Sequence, residues 1–195
     1  QILQKGANHI EYFGGDISSE SIETAKKHFD SSQVHFQEMD IYHVPFADRY
    51  FDNVISFETL EHLDTPDLAV AELKRVLKSG GVFMGSVPTA YYDQLITDVW
   101  EKNPFHITRF TFNNLTTLLT NYFKHFIILS FVEEIGTSIS ILHQTHNQSV
   151  ETMVNPLVKA KDLDAIRGSF VFLATDDSAR FKEILQYVSG KPQFQ

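Results

Sequence analysis

The sequence predicts an α/β domain built on parallel strands, and three features of one stretch support that prediction. Residues 54–57 carry mainly β-branched and aromatic side chains and no charge, which is typical of a strand buried on both faces. Thr65-Pro66 then has the form of a helix start, and apolar residues recur at helical spacing from Ala69 to Leu77. Gly80-Gly81 is expected to end this helix before a second apolar run at 82–84, which would complete a βαβ unit.

The remaining segments add elements of the same two kinds. Further strands are predicted near 10–13, 34–36, 126–132 and 169–175, and further helices near 1–7, 18–29, 115–122 and 181–188. Residues 89–110 are rich in aromatic side chains but lack a regular pattern, and residues 133–168 allow no assignment. Because long loops in compact domains usually cover or bind something, both segments are predicted to be substrate-side loops or insertions.

Length and composition favour a single globular domain over residues 1–195. The hydrophobic content of 43% is ordinary, and a net charge of −9 argues against a nucleic-acid partner, which normally requires a basic surface. The absence of cysteine excludes disulfides, thiolate zinc sites and a cysteine nucleophile. No apolar run has the length of a membrane span and no signal-peptide pattern opens the chain, so a cytoplasmic location is expected. The sequence does not predict an oligomeric state.

Polar side chains follow two of the predicted strands. Glu58, Glu61 and His62 come directly after the strand at 54–57, and Asp16 follows an earlier one. In open α/β sheets ligands bind beyond the carboxyl ends of the strands, so these groups are candidates for chemistry. Each also has an ordinary alternative, because Asp16 suits a turn that caps the next helix, and acidic residues after a strand are often solvated or cap a helix. The histidines show no convincing metal-ligand spacing, so no metal site is predicted.

A close family resemblance is carried by residues 51–88, which read FDNVISFETLEHLDTPDLAVAELKRVLKSGGVFMGSVP. This stretch resembles the second half of a class I S-adenosylmethionine-dependent methyltransferase. The resemblance extends back through GGDIS at 14–18 and EMDIYHVPF at 38–46, and forward, more weakly, through NPFHITRFTFNNLTTLL at 103–119. The order and spacing of these segments make the resemblance more specific than any one of them.

The resemblance implies that S-adenosylmethionine is the cofactor and S-adenosylhomocysteine the product. It also indicates which residues would contact the nucleoside of the cofactor. Asp16 would accept hydrogen bonds from the ribose hydroxyls, with Ile17 beside it. Asp40 would receive the adenine amino group, while the backbone amide of Ile41 would bond a ring nitrogen. The alternative for Asp40 is a solvated residue in the turn that follows its strand.

The same resemblance indicates which residues would lie near the methionyl group of the cofactor and which near the methyl acceptor. The backbone at Phe57 and Glu58 would pass beside the methionyl group, and Glu58 could hold its ammonium or cap a helix. His62 would point toward the transferred methyl group, where imidazole can accept a proton from a hydroxyl or amine. His106 would border the acceptor, and Arg109 could bind a carboxylate or phosphate. His62 and His106 are therefore the candidate catalytic residues, with packing or loop anchoring as their alternatives.

The fold that the resemblance implies is Rossmann-like: a doubly wound seven-stranded sheet with a C-terminal antiparallel hairpin formed by 126–132 and 169–175. Nucleotide-binding βαβ units carry a glycine-rich turn about 20 residues before the acidic ribose ligand. Counting back from Asp16 places that turn before residue 1, and Gly14-Gly15 is no substitute because it directly precedes Asp16. The first strand is therefore expected to be missing from this chain, which would be N-terminally incomplete.

The implied activity is methyl transfer to a small-molecule, glycan or lipid-linked acceptor, by O- or N-methylation. The acceptor would displace the sulfonium methyl directly, so positioning of the two reactants would dominate catalysis and no metal would be required. Two alternatives remain open: a non-catalytic module that keeps the fold, and an NAD-dependent oxidoreductase, which uses an acidic strand end in the same way. The oxidoreductase would need a hydride-transfer constellation, and the sequence does not show one.

Overall fold

The computed structural model describes residues 10–29, 31–99, 103–132, 138–146, 149–151 and 168–188. The chain divides into two compact units, residues 1–46 and residues 47–195. The helix expected near 1–7 lies outside the described residues, and the extent of the predicted single domain stays a prediction. Each helix in the described part of the chain is too short or too polar to cross a lipid bilayer.

The first unit contains a βαβ unit with a two-stranded parallel sheet. β1 (Tyr12–Asp16) pairs in parallel with β2 (Val34–Glu38), and α1 (Ser19–Phe29) connects them. The strand predicted at 10–13 therefore extends to residue 16, and Gly14-Gly15 lies within it rather than after it. A Cβ atom on Gly14 would lie 2.6 Å from the ring of Phe36, so glycine lets this aromatic side chain pack on the backbone of β1.

The second unit is built on a six-stranded mixed sheet. Its strands are β3 (Phe51–Phe57), β4 (Leu77–Pro88), β5 (His125–Val132), β6 (Ser138–His146), β7 (Ser149–Glu151) and β8 (Gly168–Thr175). Their order is β3-β4-β8-β5-β6-β7, in which β3 and β4 are parallel and all other neighbours are antiparallel. The described helices of this unit are a 3₁₀ turn (Leu60–His62), α2 (Pro66–Val76), α3 (Ala90–Val99), α4 (Phe112–Tyr122) and α5 (Ser178–Val188).

The prediction that the strand at 54–57 is buried on both faces is wrong. Ile55 is 62% exposed and Phe57 is 51% exposed, while Ser56 between them is buried. Ile55 and Phe57 lie on one face of β3 and Ser56 on the other, so one face of this strand is open and the other is covered. β3 also lies at one edge of the six-stranded sheet, with β4 as its paired neighbour among the described residues, and its carboxyl end carries the polar cluster.

Helix α2 begins at Pro66 as predicted but ends earlier than expected. It buries Ala69, Leu73 and Val76 on one face, and Leu77 already belongs to β4. Gly80-Gly81 therefore lies inside β4 rather than ending the helix. A Cβ atom on Gly81 would lie 2.6 Å from the carbonyl oxygen of Asp52, so this glycine is required by the close approach of β3 and β4.

The two late strands pair antiparallel, as the C-terminal hairpin predicts. β5 and β8 are in register from His125↔Thr175 to Val132↔Gly168. Residues 89–110 are more regular than predicted, because α3 occupies 90–99. The segment 133–168 contributes β6 and β7, and its other residues before Gly168 lie outside the described part. The predicted count of seven strands is not confirmed, since the described residues form eight.

The core of the second unit is rich in phenylalanine. Six phenylalanine side chains are less than 2% exposed: Phe83, Phe110, Phe126, Phe170, Phe172 and Phe181. The ring of Phe83 on β4 meets that of Phe172 on β8 edge to face at 5.2 Å and stacks on Phe123 at 5.7 Å. This packing fixes β4, which in turn holds β3 and the residues that follow it.

Candidate active site at the strand ends

Asp16 lies at the carboxyl end of β1, where its carboxylate takes part in the turn into α1. Its Oδ1 accepts a hydrogen bond from the Ser18 amide at 2.8 Å, so the turn alternative is observed. Asp16 is nevertheless exposed, as is Ile17 at 73%. Because a carboxylate has more acceptor sites than this single bond uses, the turn does not exclude contact with a ligand, and the ribose role stays a prediction.

Asp40 opens a tight turn shortly after β2. Its Oδ1 accepts from the Tyr42 amide at 2.9 Å, and its backbone carbonyl accepts from the His43 amide at 2.9 Å. Ile41 lies within this turn, and both Asp40 and Ile41 are half-buried. The turn alternative is thus observed for Asp40 as well, and its contact with adenine stays a prediction.

Glu58 holds an unusual backbone conformation at the end of β3. Its φ of 47° lies in the left-handed region, which is uncommon for a residue with a side chain. The adjacent strand supports it, because the Glu58 amide donates to the Ser86 carbonyl at 3.0 Å and the Ser86 hydroxyl donates to the Glu58 carboxylate at 2.6 Å. Such strained residues concentrate at functional sites, and here the strained residue is the one whose carboxylate Ser86 holds at the end of β3.

Glu61 is buried in the 3₁₀ turn that follows. Its side chain is 1% exposed, and within the described part of the chain neither carboxylate oxygen has a hydrogen-bond partner of ordinary geometry. Burial raises the pKa of Glu61 to about 7, and the charge of Glu58 adds to the rise, while its own backbone amide and the neighbouring imidazoles of His62 and His106 oppose it. The solvated alternative considered for Glu61 is therefore wrong, because the short helix turns this residue inward.

The structure brings the two candidate catalytic histidines together. The rings of His62 and His106 lie 5.0 Å apart between centroids and are inclined by 72°. His62 Nδ1 donates to the Phe105 carbonyl at 2.9 Å, and His106 Nδ1 bonds the Asp93 carboxyl at 2.8 Å. Because the carbonyl and the carboxylate accept at Nδ1, the Nε2 atoms of the neutral rings carry the lone pairs.

The segment before α4 is tied to the 3₁₀ turn by backbone bonds. The Thr108 amide donates to the Glu61 carbonyl at 3.0 Å, and the Thr108 hydroxyl donates to the Leu63 carbonyl at 2.6 Å. This explains how His106 reaches His62 across 44 positions of sequence. Arg109 points elsewhere, since its guanidinium donates to the side chain of Gln94 at 3.2 Å.

Sequence reasoning identified both histidines and named Glu61 as a candidate with capping or solvation as its alternative, but it missed Asp93. Asp93 fell in a segment without a visible pattern, and Glu61 resembled an ordinary helix-capping residue. Thr89 could have indicated the position of Asp93, because it caps the start of α3. Its hydroxyl accepts a hydrogen bond from the Tyr92 amide at 3.0 Å. Recognising a helix start at Thr89 would have placed Asp93 in its first turn.

A cavity of about 430 Å³ opens at the opposite end of the sheet. It is lined by the end of α2 and the start of β4, including Lys74, Arg75 and Tyr122. The cations there are already paired, Lys74 with Asp176 at 2.9 Å and Arg75 with Glu72 at 2.8 Å. Because its lining includes none of the candidate site residues, this cavity is separate from the site at the carboxyl end of β3.

Solved structures define the class of fold to which this chain belongs. An S-adenosylmethionine-dependent methyltransferase of Thermotoga maritima, described as a possible histamine N-methyltransferase, superposes with a TM-score of 0.61 at 18% identity over 84% of this chain and 72% of that one. A methyltransferase of Archaeoglobus fulgidus gives a TM-score of 0.57 at 15% identity over 83% and 74%. The fold is therefore the Rossmann-like α/β fold of class I methyltransferases, as the resemblance predicted.

Sequence relatives match part of the chain. A profile described as "Methyltransferase domain" matches residues 1–85. The ubiquinone/menaquinone biosynthesis C-methyltransferase UbiE of Desulfotalea psychrophila is 38% identical over 91 residues, 46% of this chain and 37% of that protein. The sterol 24-C-methyltransferase of Schizosaccharomyces pombe is 37% identical over 98 residues, 50% and 23% respectively. The fatty-acid O-methyltransferase of Mycolicibacterium smegmatis is 29% identical over 91 residues, 47% and 32%.

The fold is that of class I S-adenosylmethionine-dependent methyltransferases, and the matched part of the sequence is similar to proteins of that activity. The chain spans 37% or less of each of the three relatives named above.

Proposed function

We propose that the protein transfers a methyl group from S-adenosylmethionine to a small-molecule or lipid-linked acceptor. The match of residues 1–85 to the methyltransferase domain family carries this proposal, because that stretch contains every candidate cofactor residue. Relatives named for quinone biosynthesis, sterols and fatty acids support an acceptor of lipid character. Their names include both carbon and oxygen methylation, so the proposal does not fix the acceptor atom.

The residues present suit the cofactor in chemical type. Asp16 and Ile17 are exposed at a strand end, where a carboxylate can accept from ribose hydroxyls. We assign the cofactor contacts to Asp16, Ile17, Asp40, Ile41, Phe57 and Glu58. S-adenosylmethionine bound there would supply an electrophilic methyl group. The Ser86 hydroxyl holds the Glu58 carboxylate in place, which suits it to bind the ammonium of the methionyl group.

His106 is the stronger of the two candidates for accepting a proton from the acceptor. The Asp93 carboxyl fixes its ring through Nδ1, so that Nε2 is presented as the acceptor atom, in the manner of an oriented general base. His62 is held by a backbone carbonyl and is 42% exposed, which suits contact with an acceptor group. Methyl transfer itself would depend mainly on the positioning of the two reactants.

Calorimetric titration of S-adenosylhomocysteine tests the cofactor assignment. The protein in its full natural length should bind this product, and Asp16→Ala should weaken binding about ten- to a hundredfold, the worth of charge-assisted hydrogen bonds to the ribose. Glu23→Ala, which removes an exposed carboxylate from α1, is the matched control and should bind unchanged. Absence of binding would overturn the proposal and favour a non-catalytic module.

A second assay tests the histidine. With a fatty acid, a sterol or a quinone as acceptor, formation of S-adenosylhomocysteine should fall about a hundredfold or more in His106→Ala, the range for a lost general base. The affinity for S-adenosylhomocysteine should not change in this variant. Equal turnover by His106→Ala would remove the histidine from the catalytic assignment while leaving the cofactor assignment intact.

A further inference from the structure

Glu61, His62 and His106 bring potential metal-ligand atoms close to one another in the second unit. The carboxylate oxygen and the ring nitrogens that these residues offer all lie within 4.8 Å of one another. His62 Nε2 lies 3.7 Å from Glu61 Oε1. Two imidazoles and one carboxylate form a donor set that proteins use for zinc and related divalent ions, with a further coordination position left for water or a substrate oxygen.

The surroundings of the two rings strengthen this inference. Histidines that bind metals nearly always donate their other ring N–H to a carboxylate or a backbone carbonyl, which fixes the ring and its tautomer. His106 has the Asp93 carboxyl at 2.8 Å from Nδ1, and His62 has the Phe105 carbonyl at 2.9 Å. Both rings are thus oriented by their Nδ1 atoms and leave Nε2 for a ligand.

Glu61 is the independent observation that points to a cation. A carboxylate that is 1% exposed, and whose oxygens have no hydrogen-bond partner of ordinary geometry among the described residues, is costly to keep ionised in a protein interior unless a positive charge compensates it. Among the described residues, the charges that act on its pKa are those of Glu58 and the two imidazoles. A divalent ion held between Glu61 and the Nε2 atoms would supply the missing charge.

We propose that Glu61, His62 and His106 form a binding site for a divalent metal ion of the zinc class. Ligand atoms around a four-coordinate zinc ion lie about 3.3 Å apart, so the three atoms must close by about 1 Å or more. Rotation of the half-exposed His62 side chain can provide much of this movement. Sequence spacing predicted no metal site, because His106 joins the other two residues only through the fold.

Metal binding at this site would compete with the proposed proton transfer. An ion bound to both Nε2 atoms would occupy the lone pairs that proton transfer would use, so metal binding is tested without cofactor or acceptor. The direct measurement is calorimetric titration of Zn²⁺ alone into chelator-treated protein. We expect one ion per chain with a dissociation constant on the order of micromolar or below, and at least tenfold weaker binding in Glu61→Gln, His62→Ala and His106→Ala.

One control variant separates this site from other histidines, and two further measurements test its ligands. His28→Ala removes an exposed imidazole from α1 and should leave the affinity unchanged. Asp93→Asn should weaken binding about ten- to a hundredfold, because it removes the carboxylate that orients a ligand without removing the ligand itself. Co²⁺ should give the intense visible absorption of a four-coordinate ion, and His62→Ala should abolish that spectrum.

Thermal unfolding of each metal-free variant shows whether a loss of Zn²⁺ binding results from a loss of folded structure. His62→Ala alters the most exposed of the three ligands and is the decisive variant if Glu61→Gln fails to fold. Zn²⁺ binding that persists at the same affinity in His62→Ala and His106→Ala would place the ion elsewhere and overturn the proposal. Failure of the chelator-treated protein to bind Zn²⁺ at millimolar concentration would overturn it equally.

Discussion

Two carboxyl groups of the second unit show how the immediate surroundings of a residue decide its ionisation. Burial raises the pKa of Glu61 to about 7. Asp177, in contrast, accepts hydrogen bonds from the Arg180 and Ala179 amides at 2.9 and 2.8 Å, and these bonds lower its pKa below the ordinary value of 3.8. The same chemical group is therefore an unfavourable anion inside the 3₁₀ turn and a favourable one at the start of α5.

The Asp177 cap predicts a specific dependence of stability on pH. Because the folded pKa is lowered, the ionised cap stabilises the fold above about pH 3.8, and this contribution is lost as the pH falls through the folded value. Asp177→Ala should lower the melting temperature by a few degrees at pH 7, and the difference from the natural sequence should shrink near pH 3. Thermal unfolding at both pH values measures this. Glu183→Ala on the same helix is the control and should have a smaller effect; a pH-independent difference for Asp177→Ala would contradict the cap.

The strained backbone of Glu58 predicts an inverted preference between alanine and glycine. Both variants lose the carboxylate that Ser86 bonds, but only alanine keeps a Cβ atom at a φ of 47°. Glu58→Gly should therefore be more stable than Glu58→Ala by about 1 kcal/mol. Urea unfolding of the two variants gives the difference directly. At Glu38, an exposed position of β2, the same pair should favour alanine, because glycine weakens a strand. Equal stability of the two Glu58 variants would show that the strain is absent.

At the scale of elements, the close packing of β4 against β8 depends on a glycine. A Cβ atom on Gly85 of β4 would lie 2.3 Å from the ring of Phe172, which is fully buried on β8. Phe172 also meets Phe83 edge to face, so its ring has little room to move. The glycine is thus the residue that lets an aromatic side chain of β8 lie against the backbone of β4.

Gly85→Ala should destabilise the fold by about 1–3 kcal/mol, the usual cost of overpacking a filled core. Gly80→Ala is a matched substitution in the same strand, where the nearest atom to an added Cβ lies 3.6 Å away on Asp177, and it should cost less. Denaturant unfolding compares the two. A double variant, Gly85→Ala with Phe172→Leu, should recover part of the loss if the clash with the ring is its cause. Equal effects of the two single alanine variants would mean that the ring can move aside.

At the scale of the whole molecule, sequence reasoning predicted the order of elements better than their burial. The βαβ unit around Thr65-Pro66 and the antiparallel pairing of the late strands both follow from local patterns, which act over a few residues. The exposure of Phe57 did not follow, because an apolar run has the same pattern whether the sheet face on which it lies is covered or open. The burial of Glu61 and its meeting with His106 are set by contacts between distant segments, and no local spacing encodes them.

The two units also differ in how much apolar surface they bury, and this predicts their resistance to local opening. In the described part of the first unit, Ile22 and Val44 are the buried hydrophobic side chains, and a two-stranded sheet alone is marginal. β8 in the second unit lies between β4 and β5 and carries the fully buried Phe170 and Phe172. Amides of β1 should therefore exchange with solvent at least about tenfold faster than those of β8, relative to their intrinsic rates.

Hydrogen exchange followed by mass spectrometry or NMR at neutral pH measures this difference. Addition of S-adenosylhomocysteine should then slow exchange in β1 and in the turn at Ile17 and Ser18, because a ligand that binds at Asp16 only when this region is folded stabilises the folded form. It should affect β8 less, since exchange there already requires more extensive unfolding. Protection of β1 equal to that of β8 without ligand would show that the first unit draws stability from more than its own small core.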